Sequence, residues 1–168
     1  QFTGGHLLAK NSLDDLRGKN ISIEQYEQIC SELGFSPRWD VPIGEERFDS
    51  ASTNIKLQQF GMEDINSFGY LEKLEHVDAE GAECYEEIMA LRAAMPKLQV
   101  TYSVLLGNER IGCREESYKL SSEVPFNALH AGLRYLPELK ELDIRAAAYG
   151  MEKEQTLYAA YPDIQFIC

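Results

Sequence analysis

A chain of 168 residues with 44% hydrophobic residues and no low-complexity run suits one globular domain or a short repeat array. Its 28 acidic and 16 basic residues leave a net charge of −12, which argues against binding to nucleic acid or to an anionic membrane surface. No apolar run approaches the roughly 18 residues that span a bilayer, so we expect no membrane insertion by this segment. The four cysteines are too sparse for a disulfide scaffold and form no CxxC pair that would suggest zinc.

The first predicted helix covers residues 20–33. Ser22 followed by Gln25 fits a capping box, in which each side chain bonds the backbone N–H of the other residue. Apolar side chains then recur at i, i+3, i+4 and i+7, which is the spacing of one helical face. They are Tyr26, Ile29, Cys30 and Leu33.

Short segments with alternating apolar residues predict strands at near-regular intervals along the chain. The residues that mark these strands are 18 to 24 positions apart: Leu16, Trp39, Leu57, Ala79, Tyr102, Leu120, Ile144 and Cys168. Steps of about 20 residues suit a repeat made of one strand, a return segment and the next strand.

The return segments between the strands alternate in kind. Segments 84–96 and 150–162 predict helices, because apolar residues recur at helical spacing and each segment ends at a proline. The two 18-residue steps instead contain Gly44 and Gly107, which predicts a turn or hairpin in each. Two further, less regular helices are expected at 61–73 and 124–137.

The sequence repeats itself with a period of about 63 to 66 residues, and each period holds two strand-containing coils. RWDVPIGEERFDSASTNIKL (38–57) and TYSVLLGNERIGCREESYKL (101–120) are identical at six of twenty positions, and Trp39 aligns with Tyr102. We expect these two aromatic residues to be buried at equivalent places. Because self-similarity at a fixed period is typical of a stacked array, we predict a single repeat domain over 1–168, with long repeats at about 13–73, 74–138 and, in part, 139–168.

The segments LEKLEHVDA (71–79) and LPELKELDI (136–144) share the spacing LxxLxxLxL. This spacing resembles that of leucine-rich repeats, in which the spaced leucines point into each coil. The resemblance implies an α/β, leucine-rich-repeat-like solenoid of strand–helix coils with a mostly parallel sheet. A solenoid of this kind is similar to the repeat modules of bacterial surface proteins. That similarity implies an extracellular or cell-surface location for this protein. The Asn or Cys that usually follows the strand in that family is replaced here by Ala82 and Ala147.

A search for catalytic or metal-binding patterns favours none. His76, Asp78 and Glu80 alternate along a predicted strand and would place an imidazole and two carboxylates on one face. The same places in the next copy hold Glu141, Asp143 and Arg145. In that copy Glu141 replaces the histidine and Arg145 replaces one carboxylate, so the set could not bind the same metal ion. A solvated strand face is therefore a better interpretation than a metal site. The chain also lacks a GxSxG elbow and a GxxxxGK[ST] phosphate loop, so we predict no enzymatic activity, metal or cofactor.

The outward-facing positions of the predicted strands form the candidate ligand-binding surface. If the apolar positions point inward, their neighbours point outward, and stacked strands bring these residues into rows about 4.8 Å apart. Solenoids commonly bind other molecules on a surface of this type. The candidate residues are Asp40, Lys56, Gln58, Asp78, Glu80, Thr101, Ser103, Lys119, Ser121, Asp143 and Arg145.

These patterns predict a non-enzymatic binding module that recognises a protein or a glycan. A structural spacer or assembly segment of a larger surface protein is the alternative, and a hydrolase is a distant third. The last strand adds a further expectation, since Phe166 and Cys168 match Val100 and Tyr102 but no further coil follows. We therefore expect that the natural protein continues, or that the C-terminal edge pairs with another molecule in self-association.

Overall fold

The computed structural model describes residues 22–32, 34 and 38–168 of the chain. The strand predicted around Leu16 and the helical position of Leu33 lie outside the described residues. The α-helices within them are α1 (Ile23–Glu32), α2 (Tyr85–Ala94), α3 (Phe126–Gly132) and α4 (Met151–Ala160). Short 3-10 helices cover Met62–Tyr70, Leu133–Tyr135 and Arg145–Ala147.

The strands are short and fall into two groups of five. The first group is β1 (Asp40–Ile43), β2 (Glu46–Asp49), β3 (Asn54–Lys56), β4 (His76–Asp78) and β5 (Gln99–Thr101). The second group is β6 (Ser103–Leu106), β7 (Glu109–Gly112), β8 (Ser117–Lys119), β9 (Glu141–Asp143) and β10 (Gln165–Ile167). We call residues 40–101 the first unit and residues 103–167 the second unit.

Each unit begins with an antiparallel hairpin, which confirms the turns predicted at the two glycines. β1 pairs with β2, and β6 pairs with β7, in the same register. Gly44 and Gly107 adopt φ values of 58° and 69°, a left-handed conformation that glycine accepts without strain. The echo between the two sequence stretches is therefore a duplicated hairpin.

Each unit continues with a three-stranded parallel sheet. The strand order is β3–β4–β5 in the first unit and β8–β9–β10 in the second. Side chains alternate along each strand, so that one residue per strand faces the core. In the first sheet the inward residues are Ile55, Val77 and Val100, and in the second they are Tyr118, Leu142 and Phe166.

The predicted helices are confirmed at 85–94 and 151–160, as are the less regular ones at 62–70 and 126–135. Helix α1 begins with the expected capping box: the Gln25 backbone N–H donates to Ser22 Oγ at 3.2 Å, and the Ser22 N–H donates to Gln25 Oε1 at 2.9 Å. Helix α2 buries Ile88 and Leu91, whereas in α4 only Leu157 is buried.

One continuous hydrophobic core connects the two units. Trp39 is 7% exposed and Tyr102 is fully buried, so the predicted burial of both aromatic residues is confirmed. Beside them, Val41 and Val104 fill equivalent places in the core. Trp39 Nε1 is buried without a hydrogen-bond partner, whereas the Tyr102 hydroxyl has two partners.

The predicted leucine-rich-repeat-like solenoid with a mostly parallel sheet is wrong. The strands form four small separate sheets, two antiparallel pairs and two parallel triples. Because Gly44 and Gly107 turn the chain back on itself, the strands beside them bond within a hairpin and do not continue one ladder. Ala82 and Ala147 stand where leucine-rich repeats usually have Asn or Cys, and they have no polar side chain. Their backbone N–H groups instead donate to the backbone oxygens of Ala79 and Ile144, which closes a local turn in each unit.

The longest helices among the described residues have ten residues, and none of them has the length and apolarity needed to cross a bilayer.

Candidate binding surface

The outer face of the first parallel sheet brings three predicted site residues side by side. Lys56, Asp78 and Thr101 are register partners at the ends of β3, β4 and β5. Lys56 Nζ lies 3.7 Å from Asp78 Oδ2, and Thr101 Oγ1 lies 2.7 Å from the Nε2 atom of His76. Cation, carboxylate, hydroxyl and imidazole groups therefore share one face and can donate or accept hydrogen bonds.

The second parallel sheet presents the equivalent row with a different composition. Lys119 and Asp143 are register partners, and Ile167 takes the place that Thr101 has in the first sheet. Arg145 forms a bidentate ion pair with Asp143, with Nε and Nη2 at 2.9 and 2.6 Å from the carboxylate oxygens. The hydrogen bond from Arg145 holds the pKa of Asp143 at about 2, and its charge and that of Lys119 act in the same direction.

A second polar row on each sheet was not part of the predicted binding surface, although His76 and Glu141, which belong to it, were considered as metal ligands. It lies two residues before the first row, on the same face of each strand. The residues are Asn54, His76 and Gln99 in the first sheet and Ser117, Glu141 and Gln165 in the second. The alternation that was used to select Lys56 would have selected Asn54 as well, because side chains two apart share a face.

Three predicted site residues lie at the hairpins or contact them: Asp40, Glu80 and Ser103. Ser103, at the start of β6, is buried and donates a hydrogen bond to Glu80 Oε2 at 2.7 Å. Asp40 lies at the start of β1, where its register partner is Asp49. These residues therefore do not extend the rows of the parallel sheets.

Gln58 lies at the carboxyl end of β3, at the rim of a cleft of about 960 Å³. The cleft lies between the first hairpin, the loop after β3 and the start of α2. Its carboxylates are those of Glu45, Glu46, Glu63, Asp64, Glu83 and Glu87. This cluster could not be recognised in the sequence, because its residues come from three separate segments of an acidic chain.

Ser121 has an internal structural role in the second unit. Its backbone N–H and its hydroxyl both donate to Glu109 Oε1, at 2.8 and 3.0 Å, and the same two groups of Ser122 donate at 2.7 and 2.8 Å. Tyr118 adds a hydrogen bond of 3.2 Å to the other oxygen. Burial alone would raise the pKa of Glu109, but the hydrogen bonds from Ser122 and Ser121 lower it.

The residues considered as metal ligands are directed to other partners. His76 contacts Thr101, Asp78 accepts a hydrogen bond from the Glu80 backbone N–H at 3.0 Å, and Glu80 accepts from Ser103. Within the described part of the chain, no group of three or more His, Cys, Asp or Glu side chains has an arrangement that could hold a metal ion. All four cysteines are free thiols.

Comparison of the chain with protein-family models, with curated proteins and with solved structures finds no match.

Proposed function

We propose that this protein is a non-enzymatic binding module, and that the polar faces of its two parallel sheets recognise a protein or a glycan. The observation that carries the proposal is the register of these sheets. It brings polar residues from three strands into rows on each unit, with cationic, anionic and neutral hydrogen-bonding groups beside one another.

The internal duplication supports this proposal, because equivalent core positions remain apolar in both units, whereas several equivalent positions on the outer faces differ in charge or polarity. The core keeps Leu57 and Leu120, as well as Leu91 and Leu157, at equivalent buried positions. On the outer face Glu80 is replaced by Arg145, and further exchanges are His76 to Glu141 and Thr101 to Ile167. A duplicated scaffold whose outer residues have diverged is suited to recognising two different surfaces.

The alternative is a spacer or assembly segment that associates through a sheet edge. Among the described residues, β10 pairs with β9 on one side only. A strand edge of this kind presents backbone N–H and C=O groups that a strand from another molecule can pair with. This alternative includes self-association through the C-terminal edge and needs no contribution from the polar faces.

The experiment is a screen of the purified protein against protein and glycan arrays, followed by charge reversal on each face. Lys56→Glu and Lys119→Glu place a second negative charge beside Asp78 and Asp143. We expect either variant to weaken binding of the captured ligand at least about tenfold, because like charges side by side disfavour a matched partner.

The control variant is Lys97→Glu, which changes an exposed lysine outside both sheets. It should leave binding unchanged. Equal loss in all three variants would indicate a nonspecific charge effect and would contradict the proposal. Binding that survives both face variants but is lost when β10 is blocked would favour the assembly alternative.

A further inference from the structure

The second unit contains a cleft of about 480 Å³ beyond the carboxyl ends of β8 and β9, and we call it the second cleft. Residues 123–127, residues 147–150 and Lys153 line it, so it lies between the starts of α3 and α4. The acidic cleft of the first unit lies at the corresponding place, between the 3-10 helix at 62–70 and the start of α2. Parallel α/β sheets commonly bind ligands at the carboxyl ends of their strands. Because both units form this cleft, it belongs to the duplicated scaffold and does not depend on the last coil.

The two clefts differ in chemistry at equivalent positions. Tyr149 directly precedes the N-cap of α4, and Lys153 lies in the first turn of that helix. Glu83 and Glu87 have the same two places at α2. All four residues line their clefts. The second unit has therefore exchanged two carboxylates for an aromatic ring and a cation.

The aromatic rings of the second cleft hold the ammonium group of Lys153. The rings of Phe126 and Tyr149 meet edge to face, with their centroids 5.6 Å apart. Lys153 Nζ lies 5.6 Å from the Phe126 centroid and 5.9 Å from the Tyr149 centroid, within the range of cation–π attraction. Within the part of the chain that the structure describes, no carboxylate forms an ion pair with this ammonium. Lys153 is thus positioned at the cleft with its charge free to bind an anion.

The orientation of the Tyr149 ring is fixed from the protein side. Its hydroxyl donates a hydrogen bond to the backbone oxygen of Val124, and both residues line the cleft. Burial raises the pKa of Tyr149 to about 12, so the hydroxyl keeps its proton and remains a donor at neutral pH. The ring face, and not the hydroxyl, is therefore the part of Tyr149 that is left for a ligand.

Two polar side chains at the rim add neutral and acidic hydrogen-bonding groups. Asn127 and Glu123 are exposed and line the second cleft on the side of α3. An amide both donates and accepts hydrogen bonds, and a carboxylate accepts them. The second cleft therefore combines a cation, an aromatic surface, and donors and acceptors suited to hydroxyl groups.

We propose that the second cleft binds an acidic sugar residue of a glycan. The sugar carboxylate pairs with Lys153, an apolar face of the sugar ring packs against Phe126, and its hydroxyls bond with Asn127 and Glu123. A volume of about 480 Å³ lies within the range of about 300–1,000 Å³ that is usual for small-molecule sites. The acidic cleft of the first unit repels such a ligand, because Glu87 replaces the cation. The second cleft shares no residue with the rows on the sheet faces, so either proposal can fail while the other holds.

The test titrates galacturonate into the full chain carrying isotope-labelled alanine methyl groups. We expect saturable movement of the Ala147 and Ala148 signals, which report on the second cleft, and no movement of Ala82, the counterpart of Ala147 in the first unit. Galactose should bind about three- to fivefold more weakly, because it lacks the carboxylate that pairs with Lys153. Inorganic sulfate should displace galacturonate only in large excess, because it uses Lys153 alone.

Three variants identify the groups that bind the sugar. Lys153→Glu installs the charge that the first unit has at this position and should weaken galacturonate binding at least about tenfold. Phe126→Leu retains an apolar side chain but removes the ring, and it should weaken galacturonate and galactose by the same factor. Lys97→Glu changes an exposed lysine away from the second cleft and should leave binding unchanged. Circular dichroism verifies that each variant is folded.

Four results would overturn the proposal. The Ala147 and Ala148 signals could remain in place at tens of millimolar galacturonate. Galactose could bind as tightly as galacturonate, which would remove the role of Lys153. Sulfate could bind as tightly as galacturonate, which would identify an adventitious ion only. Lys97→Glu could weaken binding as much as Lys153→Glu, which would indicate a nonspecific charge effect.

Discussion

Asp78 and Asp143 occupy equivalent positions at the ends of the middle strands, and each carboxylate closes the same turn. Asp78 Oδ1 accepts the backbone N–H of Glu80 at 3.0 Å, and Asp143 Oδ1 accepts the backbone N–H of Arg145 at 3.1 Å. Such side-chain to backbone bonds are typical of aspartate at the start of a turn. The turn is therefore retained in both units, although the residue that follows it changes from acidic to basic.

Asp143 is expected to make the stability of the fold sensitive to acid. Its pKa is about 2 in the folded chain, below the ordinary 3.8, because Arg145 stabilises the carboxylate. The folded state therefore binds fewer protons than the unfolded state, so the stabilisation is complete above about pH 4 and is lost as the pH falls toward 2. Asp143→Asn should lower the unfolding midpoint at pH 7 and have little effect near pH 2.

Thermal unfolding followed by circular dichroism at several pH values measures this effect. Asp78→Asn is the control, since Asp78 closes the same turn but its nearest cation, Lys56, is 3.7 Å away. We expect a smaller change there. Equal loss in the Asp143 variant at pH 7 and pH 2 would contradict the assignment.

Glu109 is expected to contribute more to stability than its counterpart in the first unit. It is 6% exposed and accepts hydrogen bonds from Ser121, Ser122 and Tyr118. Glu109→Gln places amide hydrogens against some of these donors and should cost about 1–3 kcal/mol of unfolding free energy. Urea denaturation measures the difference. Glu46→Gln, at the exposed equivalent position, should change it by less than about 0.5 kcal/mol.

The hydroxyl of Tyr102 is expected to stabilise the contact between the two units. It donates to the Tyr135 backbone oxygen and accepts from Arg92, inside the core. Burial raises the pKa of Tyr102 to about 12, so the hydroxyl is protonated and available as a donor at neutral pH. Tyr102→Phe removes the donor to the Tyr135 backbone oxygen and the acceptor of Arg92 Nη1, and should cost about 1–3 kcal/mol in a denaturant titration. An equal effect of Tyr158→Phe, on the exposed face of α4, would argue against this explanation.

Gly44 is expected to tolerate no side chain. Its φ of 58° disfavours any L residue, and an added Cβ would lie 2.6 Å from the backbone oxygen of Gln59. Gly34 has a similar φ of 71°, and among the described residues no atom lies within 4 Å of its Cβ position. Gly34→Ala should therefore cost only the conformational strain, about 1–2 kcal/mol, and Gly44→Ala clearly more. Denaturant midpoints of the two variants compare these costs directly, and equal values would contradict the predicted clash.

Local elements were predictable from the sequence because their determinants lie within a few residues. The capping box of Ser22 and Gln25, the left-handed turns at Gly44 and Gly107, and the alternation around Val77 each depend on neighbouring residues and on backbone geometry. The duplication was visible for the same reason, since equivalent hairpins need equivalent turn and core residues.

Strand pairing was decided only by the tertiary structure. An apolar alternation shows which side of a strand is buried, but it does not show which strand supplies the hydrogen bonds, because every partner satisfies the backbone equally well. The predicted solenoid therefore placed the strands marked by Trp39 and Tyr102 in one mostly parallel sheet, although a turn or hairpin was expected after each of them. In the folded chain the reversal at each glycine pairs β1 with β2 and β6 with β7, and the strands are divided among four sheets.

The environments of equivalent residues were likewise set by the tertiary structure. Glu46 and Glu109 stand in matching sequence contexts, yet only Glu109 meets two serines and is buried. Helices α2 and α4 also look alike in sequence, but the second unit covers the face of α2, and the equivalent face of α4 is exposed. The sequence by itself determined the repeated elements through short-range geometry, whereas the burial and partners of each copy depended on long-range packing that differs between the two units.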